Sequence, residues 1–186
     1  MYNELLQRAK WGTLSQGELA QVAAALHEPD PQVDRYTLLH ILGRAGDRSY
    51  RSLVERFLHD QDDPMIARLA LQILCSFWGE TGRYLEEVLQ FIQWVPWDDE
   101  EYIRLVAISA AGEYLRVHTE PRVLRALIRI FENEEEDHLT RQGAYRALAR
   151  AVRRDWDQLP AATRLLDLTT QSDPLILQLA KERLLP

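Results

Sequence analysis

The sequence predicts an all-α protein, an α-solenoid of about four to five helical hairpins. Three observations carry that prediction. A short motif recurs at a nearly fixed period, and self-similarity of that kind marks repeat architectures. The apolar residues after each copy follow the 3.6-residue period of a helix. No segment alternates convincingly with period two, so no sheet is expected.

The motif reads DPQVDR at Asp30, DPMIAR at Asp63, DEEYIR at Asp99, EDHLTR at Glu136 and DPLILQ at Asp173. The steps between copies are 33, 36, 37 and 37 residues. An acid is followed five positions later by Arg35, Arg68, Arg104 and Arg141, with Gln178 in the fifth copy. Each leading acid suits a helix N-cap, and Pro31, Pro64 and Pro174 then fall at the first helical position, where a missing N–H costs nothing. The arginines fall in the second helical turn. They are expected to reach an acid of their own or a neighbouring repeat, as a structural ladder.

The elements follow in order. Residues 2–10 and 15–27 read as a first helix pair within 1–29. Repeats then span 30–62, 63–98, 99–135 and 136–172, and 173–186 is a terminal helix, all in one domain of 1–186. The first helices carry the stripes Leu38, Leu39, Ile41, Leu42; Leu69, Leu71, Ile73, Leu74; Leu105, Val106, Ile108, Leu115; and Tyr145, Leu148, Val152. Turns at GRAGDRS, WGETG, RVHTEP and RRDWDQLP lead to second helices in 50–60, 83–95, 122–133 and 159–170.

The stretch DPQVDRYTLLHILGRAGD resembles the first helix and turn of a HEAT-type repeat, the variety found in phycobilin lyases and bacterial scaffold proteins. The resemblance covers about residues 30–186. The third copy lacks the proline, and the Leu-Gly pair stays only in the first. The resemblance implies a right-handed superhelix with second helices lining the concave side. It implies no chemistry, because such arrays serve widely as scaffolds.

With 22 basic and 29 acidic residues the net charge is −7, which disfavours nonspecific binding to nucleic acid or anionic membrane and favours basic partners. Cys75 is the only cysteine, so no intrachain disulfide is possible, and its apolar setting predicts burial. The N-terminus lacks an apolar signal core and no apolar run is long enough for a membrane span. The expectation is a soluble, cytoplasmic chain without a cofactor.

Candidate site residues come from what the repeat leaves over. At 100° per residue, Leu85, Val88, Leu89 and Ile92 form one stripe, with Glu87, Gln90 and Trp94 opposite. In the next repeat Leu124, Leu127, Ile128 and Phe131 point inward, with Arg122, Arg125 and Arg129 opposite. Glu55, His59, Arg164 and Leu168 are expected on the corresponding outer face elsewhere. Connections between repeats carry DQDD at 60–63, DDEE at 98–101 and ENEEED at 132–137, whereas those within repeats carry Arg44, Arg48, Arg116, Arg153 and Arg154. Capping needs only one or two acids. Trp94, Trp97, Asp98, Asp99, Glu100, Glu101, Glu134 and Glu135, with Glu87, Gln90, Arg125 and Arg129, are therefore the expected partner-binding residues. Asp99 is expected to cap its helix and Tyr102 to pack behind it.

The sequence offers no phosphate loop, no nucleophile elbow and no paired-histidine or paired-cysteine metal motif. His40 is expected to be a packed histidine rather than a ligand. The expected function is non-enzymatic protein binding, most specifically that of a bacterial immunity protein that neutralises a toxin domain with a basic surface. A scaffold or regulatory subunit, or a HEAT-like enzyme of DNA-glycosylase or phycobilin-lyase type, are the alternatives. No catalytic and no metal residue is expected.

Overall fold

A computed structural model describes residues 2–27, 33–152 and 165–185. All regular elements among them are helical, and no strand occurs among the described residues. They cluster into two compact units, residues 1–84 and 85–186.

The first unit contains α1 (Tyr2–Lys10), α2 (Gln16–His27), α3 (Arg35–Ala45), α4 (Arg51–Glu55) and α5 (Pro64–Gln72). Ser15 and Glu18 form a capping box at the start of α2: Ser15 N–H donates to Glu18 at 2.9 Å and Glu18 N–H to Ser15 Oγ at 3.3 Å. Arg8 on α1 donates to the same carboxylate at 2.5 Å and 2.9 Å, tying the two helices. α3 packs against α1, α2 and α5 and supplies the fully buried Leu38, Leu39, Ile41 and Leu42. A side chain at Gly43 would run into Ile73, so glycine is what lets α3 approach the end of α5. There the chain widens into a π-turn, Ile73–Phe77, and Trp78 donates its indole N–H back to Gly43 O at 3.1 Å. Cys75 is buried as expected.

The second unit contains α6 (Leu85–Ile92), α7 (Tyr102–Leu115), α8 (Pro121–Glu132), α9 (His138–Val152), α10 (Leu168–Gln171) and α11 (Pro174–Glu182). First helices lie against first helices, α7 on α9 and α9 on α11, and α6 lies on α8. A Cβ at Gly112 would sit 2.7 Å from the Ala147 Cα, so α7 and α9 meet almost backbone to backbone. Gly43 and Gly112 both stand eight residues after a motif arginine, Arg35 and Arg104.

The motif acids cap as expected at Asp63 and Asp173, each followed by proline at the first helical position. Elsewhere the cap moves. α3 starts at Arg35 and is capped by Asp34, whose carboxylate accepts from Thr37 N–H at 2.9 Å. Arg35 is thus a first-turn residue, and Asp30 and Pro31 lie outside the described residues. α9 is capped by Asp137 rather than Glu136, accepting from Leu139 and Thr140 N–H at 2.8 Å and 3.0 Å. The turn at 153–160 and the first half of the helix expected in 159–170, with Arg153, Arg154 and Arg164, also lie outside; in the described half the chain is helical only from Leu168, in α10.

The arginine ladder is more varied than expected. Arg104 and Arg141 each donate a guanidinium N–H to the last turn of the preceding second helix, at Ile92 O (3.0 Å) and Phe131 O (3.2 Å). They satisfy carbonyls that a helix end leaves without partners. Arg68 instead reaches the Tyr36 hydroxyl at 3.5 Å, and Arg35 sits 4.0 Å from Asp60.

Candidate partner-binding surfaces

The acidic corner between α6 and α7 sorts into structural and unassigned residues. Asp98, expected as a surplus surface acid, is 1% exposed, and its carboxylate supplies the capping bonds of α7 in place of Glu101, the N-cap residue, whose side chain makes none. Its Oδ2 accepts from Ile103 and Arg104 N–H at 2.9 Å and 3.2 Å. Asp99 is therefore not the cap; it is exposed, as is Glu100. The chain turns back through Glu101, which has φ 55°, and this places the Asp98 side chain over the helix start. Trp97 is half-buried and meets the Phe91 ring edge-on at 6.1 Å, so packing accounts for it. Tyr102 does not pack behind the cap: it is 41% exposed.

Glu101 belongs to an ion-pair cluster around Arg104. The Arg104 guanidinium donates to Glu101 at 3.1 Å and to both oxygens of Glu136 at 2.9 Å and 2.6 Å. Thr140 Oγ1 donates to Glu101 at 2.9 Å. Glu101, Glu136 and Asp137 bring carboxylate oxygens within 4.8 Å of one another, a spacing open to a cation; Arg104 supplies the positive charge facing the first two. Burial would raise the Asp137 carboxyl. Hydrogen bonds from Thr140 and Leu139 and the nearby Arg104 outweigh it and hold that group below the usual range. These contacts also set the starts of α7 and α9 side by side.

The resulting edge exposes apolar residues at matching places. Tyr102 opens α7, and Leu139 and Leu175 are the second residues of α9 and α11. They are 41%, 52% and 44% exposed and stand 37 and 36 residues apart. Arg183, just past α11, donates to Leu115 O and Ala151 O, so the C-terminal ends of α7, α9 and α11 also lie together. Exposed Asp99, Glu100, Glu134 and Glu135 lie in the connections that precede α7 and α9.

Trp94 follows the end of α6. It was expected on the face of Glu87 and Gln90, but the helix stops at Ile92 and its side-chain direction is set by a left-handed backbone, φ 79°. That conformation is strained for a bulky residue. Its ring is 45% exposed. Exposed apolar surface held by a strained backbone is the corner's least economical feature.

A second surface lies between α6 and α8. Two adjoining depressions of about 490 Å³ and 330 Å³ share Gln93, Ala126 and Arg129. Gln90, Arg125 and Arg129 line it as their helical positions predict, while Glu87 does not. Gln93 and Ala126 were missed: one ends a helix, and the other contributes space by being small. Arg122 pairs with Glu86 at 2.8 Å and Glu120 at 3.1 Å.

In the first unit, Glu55 accepts from the Tyr84 hydroxyl at 2.6 Å, so it is engaged rather than free. Burial, then Glu55, pushes the Tyr84 hydroxyl up. His40 is packed as expected. It stacks on Phe77 at 6.0 Å, and its Nε2 faces Arg44 Nε at 3.2 Å. Burial first, then Arg44, depresses its pKa, so the ring accepts that bond as the neutral form. Arg48 of the within-repeat arginines donates to Trp78 O at 2.6 Å and Arg116 to Glu113 at 3.0 Å.

Compared with protein-family models, curated proteins and solved structures, the chain matches none. No described helix is long and apolar enough to cross a membrane.

Proposed function

We propose that the chain is a non-enzymatic protein-binding module, a right-handed solenoid of HEAT-like hairpins whose acidic edge receives a basic partner protein. The observation that carries this reading is the recurrence of exposed Tyr102, Leu139 and Leu175 at equivalent helix starts, with acids in the connections beside them. Apolar anchors rimmed by charge are the usual anatomy of a protein interface. Acids around them speed encounter with a cationic partner and reject anionic ones. In its most specific form the reading is a bacterial immunity protein, acting in the cytoplasm, that masks a cationic toxin domain. The net charge of −7 and the mixed acid and apolar edge support it.

The test is capture from the native host with the wild-type chain and with a Trp94→Ala, Asp99→Lys, Glu100→Lys variant. A basic protein retained by the first and lost from the second, with unchanged helical circular dichroism, is the expected outcome. Retention of no protein by the wild type, together with measurable DNA or pigment binding, overturns the reading.

A further inference from the structure

The side chains lining the α6–α8 groove include four arginines, Arg104, Arg122, Arg125 and Arg129, against two glutamates, Glu86 and Glu136, the reverse of the edge's balance. Arg125 and Arg129 stand one helical turn apart on α8, both exposed, and neither makes a close ion pair with a carboxylate among the described residues, although Glu120 lies near enough to Arg125 for that charge to help hold its carboxyl low. Every other arginine lining the groove is balanced: Arg122 by Glu86 and Glu120, Arg104 by Glu101 and Glu136. Between Arg125 and Arg129 lies Ala126, whose small side chain leaves a recess. Leu89 and Ile130 give it an apolar wall, and the amides of Gln90 and Gln93 offer both donors and acceptors.

We propose that this groove binds an acidic peptide segment of a partner protein, in which two carboxylates flank one residue. Side chains one helical turn apart have Cβ atoms about 5–6 Å apart. In an extended peptide, residues i and i+2 point the same way and stand roughly 6.6 Å apart. Two carboxylates in an acid-x-acid segment therefore reach Arg125 and Arg129 together, each as a charge-assisted pair. The glutamine amides bond the peptide backbone. A nucleic-acid strand fits less well. Its continuous phosphates would run past Glu86, Glu120 and Glu136, and its affinity depends on many cationic contacts at once. The observations that carry this proposal are separate from those that carry the acidic edge, so either can fail without the other.

The probe is a fluorescein-labelled Glu-Leu-Glu-containing peptide, titrated with the full chain and read by anisotropy at low and at physiological salt. Binding that weakens with salt, and that falls by about tenfold for Arg125→Gln or Arg129→Gln, is expected. Arg122→Gln should change it by less than about threefold, because that side chain is already paired. Unchanged melting of the variants shows that the fold is intact. No binding of the peptide, equal binding of its Lys-Leu-Lys counterpart, or tighter binding of a single-stranded oligonucleotide overturns the proposal. Concentration-dependent self-association lost in Arg129→Gln assigns the groove to a second copy and overturns it as well.

Discussion

Two residues at the α6–α7 corner pull in opposite directions. Asp98 is buried and holds two backbone N–H groups that would otherwise be stranded at the start of α7. Asp98→Ala should cost about 2 kcal/mol, the upper range for a lost N-cap, because the freed donors are also buried. A shift in urea midpoint at constant slope checks this. Trp94 shows the reverse. Its φ of 79° suits glycine, so Trp94→Gly relieves strain of about 1–2 kcal/mol while giving up only a partly buried ring. Stability should hold or rise while capture of the partner falls. A clear drop in melting temperature would mean that the ring packs as structure. The sequence could nominate both residues but not separate them. In the run Asp98–Glu101 every member can cap, and the choice depends on which carboxylate the returning chain carries inward. That is a tertiary decision, made here by the left-handed turn at Glu101.

At the level of helices, the close approach of α7 and α9 is the most demanding contact. Gly112→Ala would gain about 1 kcal/mol in helix propensity. It would lose about 1–3 kcal/mol by pushing a Cβ into the Ala147 backbone, so a net loss is expected in thermal melts. The helices themselves were legible from period and punctuation: α1, α5, α8 and α11 start within a residue of the expected position. The end of α6 was not, because Gln93 and Trp94 continue the helical pattern while the backbone reverses before Pro96. The arginines were legible as a ladder, but their shared task at Arg104 and Arg141 was not. Reaching the carbonyl end of an earlier helix requires knowing where that helix stops. Arg104→Ala should cost about 3 kcal/mol or more, since it leaves Glu101 and Glu136 facing each other in a half-buried site. Replacing all three with apolar residues should cost much less, and a comparison of the two variants by chemical denaturation decides it.

For the molecule as a whole, stability should fall in acid. Hydrogen bonds from Arg8, then from Ser15, hold the Glu18 carboxyl at about 2 instead of the ordinary 4.5. Hydrogen bonding from Arg51 depresses Glu80 despite its burial. At Asp137 and Glu120, hydrogen bonds overcome burial and leave both low. Folded carboxyls of this kind give up protons more readily than unfolded ones. Their stabilisation is complete above pH 4.5 and is lost as pH falls towards 2. His40 adds to the same trend from a higher starting point. Its folded form resists the proton that the unfolded chain accepts near 6.5, so some loss begins below that pH. Urea midpoints at pH 7, 5 and 3 should decline in that order.

Arg104 also has a place in both proposed surfaces. It lines the α6–α8 groove together with Glu136, and its partners Glu101 and Glu136 also stand at the helix starts of the acidic edge. A cation arriving at the edge and drawing Glu136 towards itself would leave Arg104 less balanced, and the groove would become more attractive to anions. Linkage then makes the two occupancies reciprocal: whatever factor a basic ligand adds to acidic-peptide affinity, the peptide must return to the basic ligand. A partner bearing an acidic segment beside a basic face would meet a surface that tightens on it as a pair, and either half offered alone would be held more weakly.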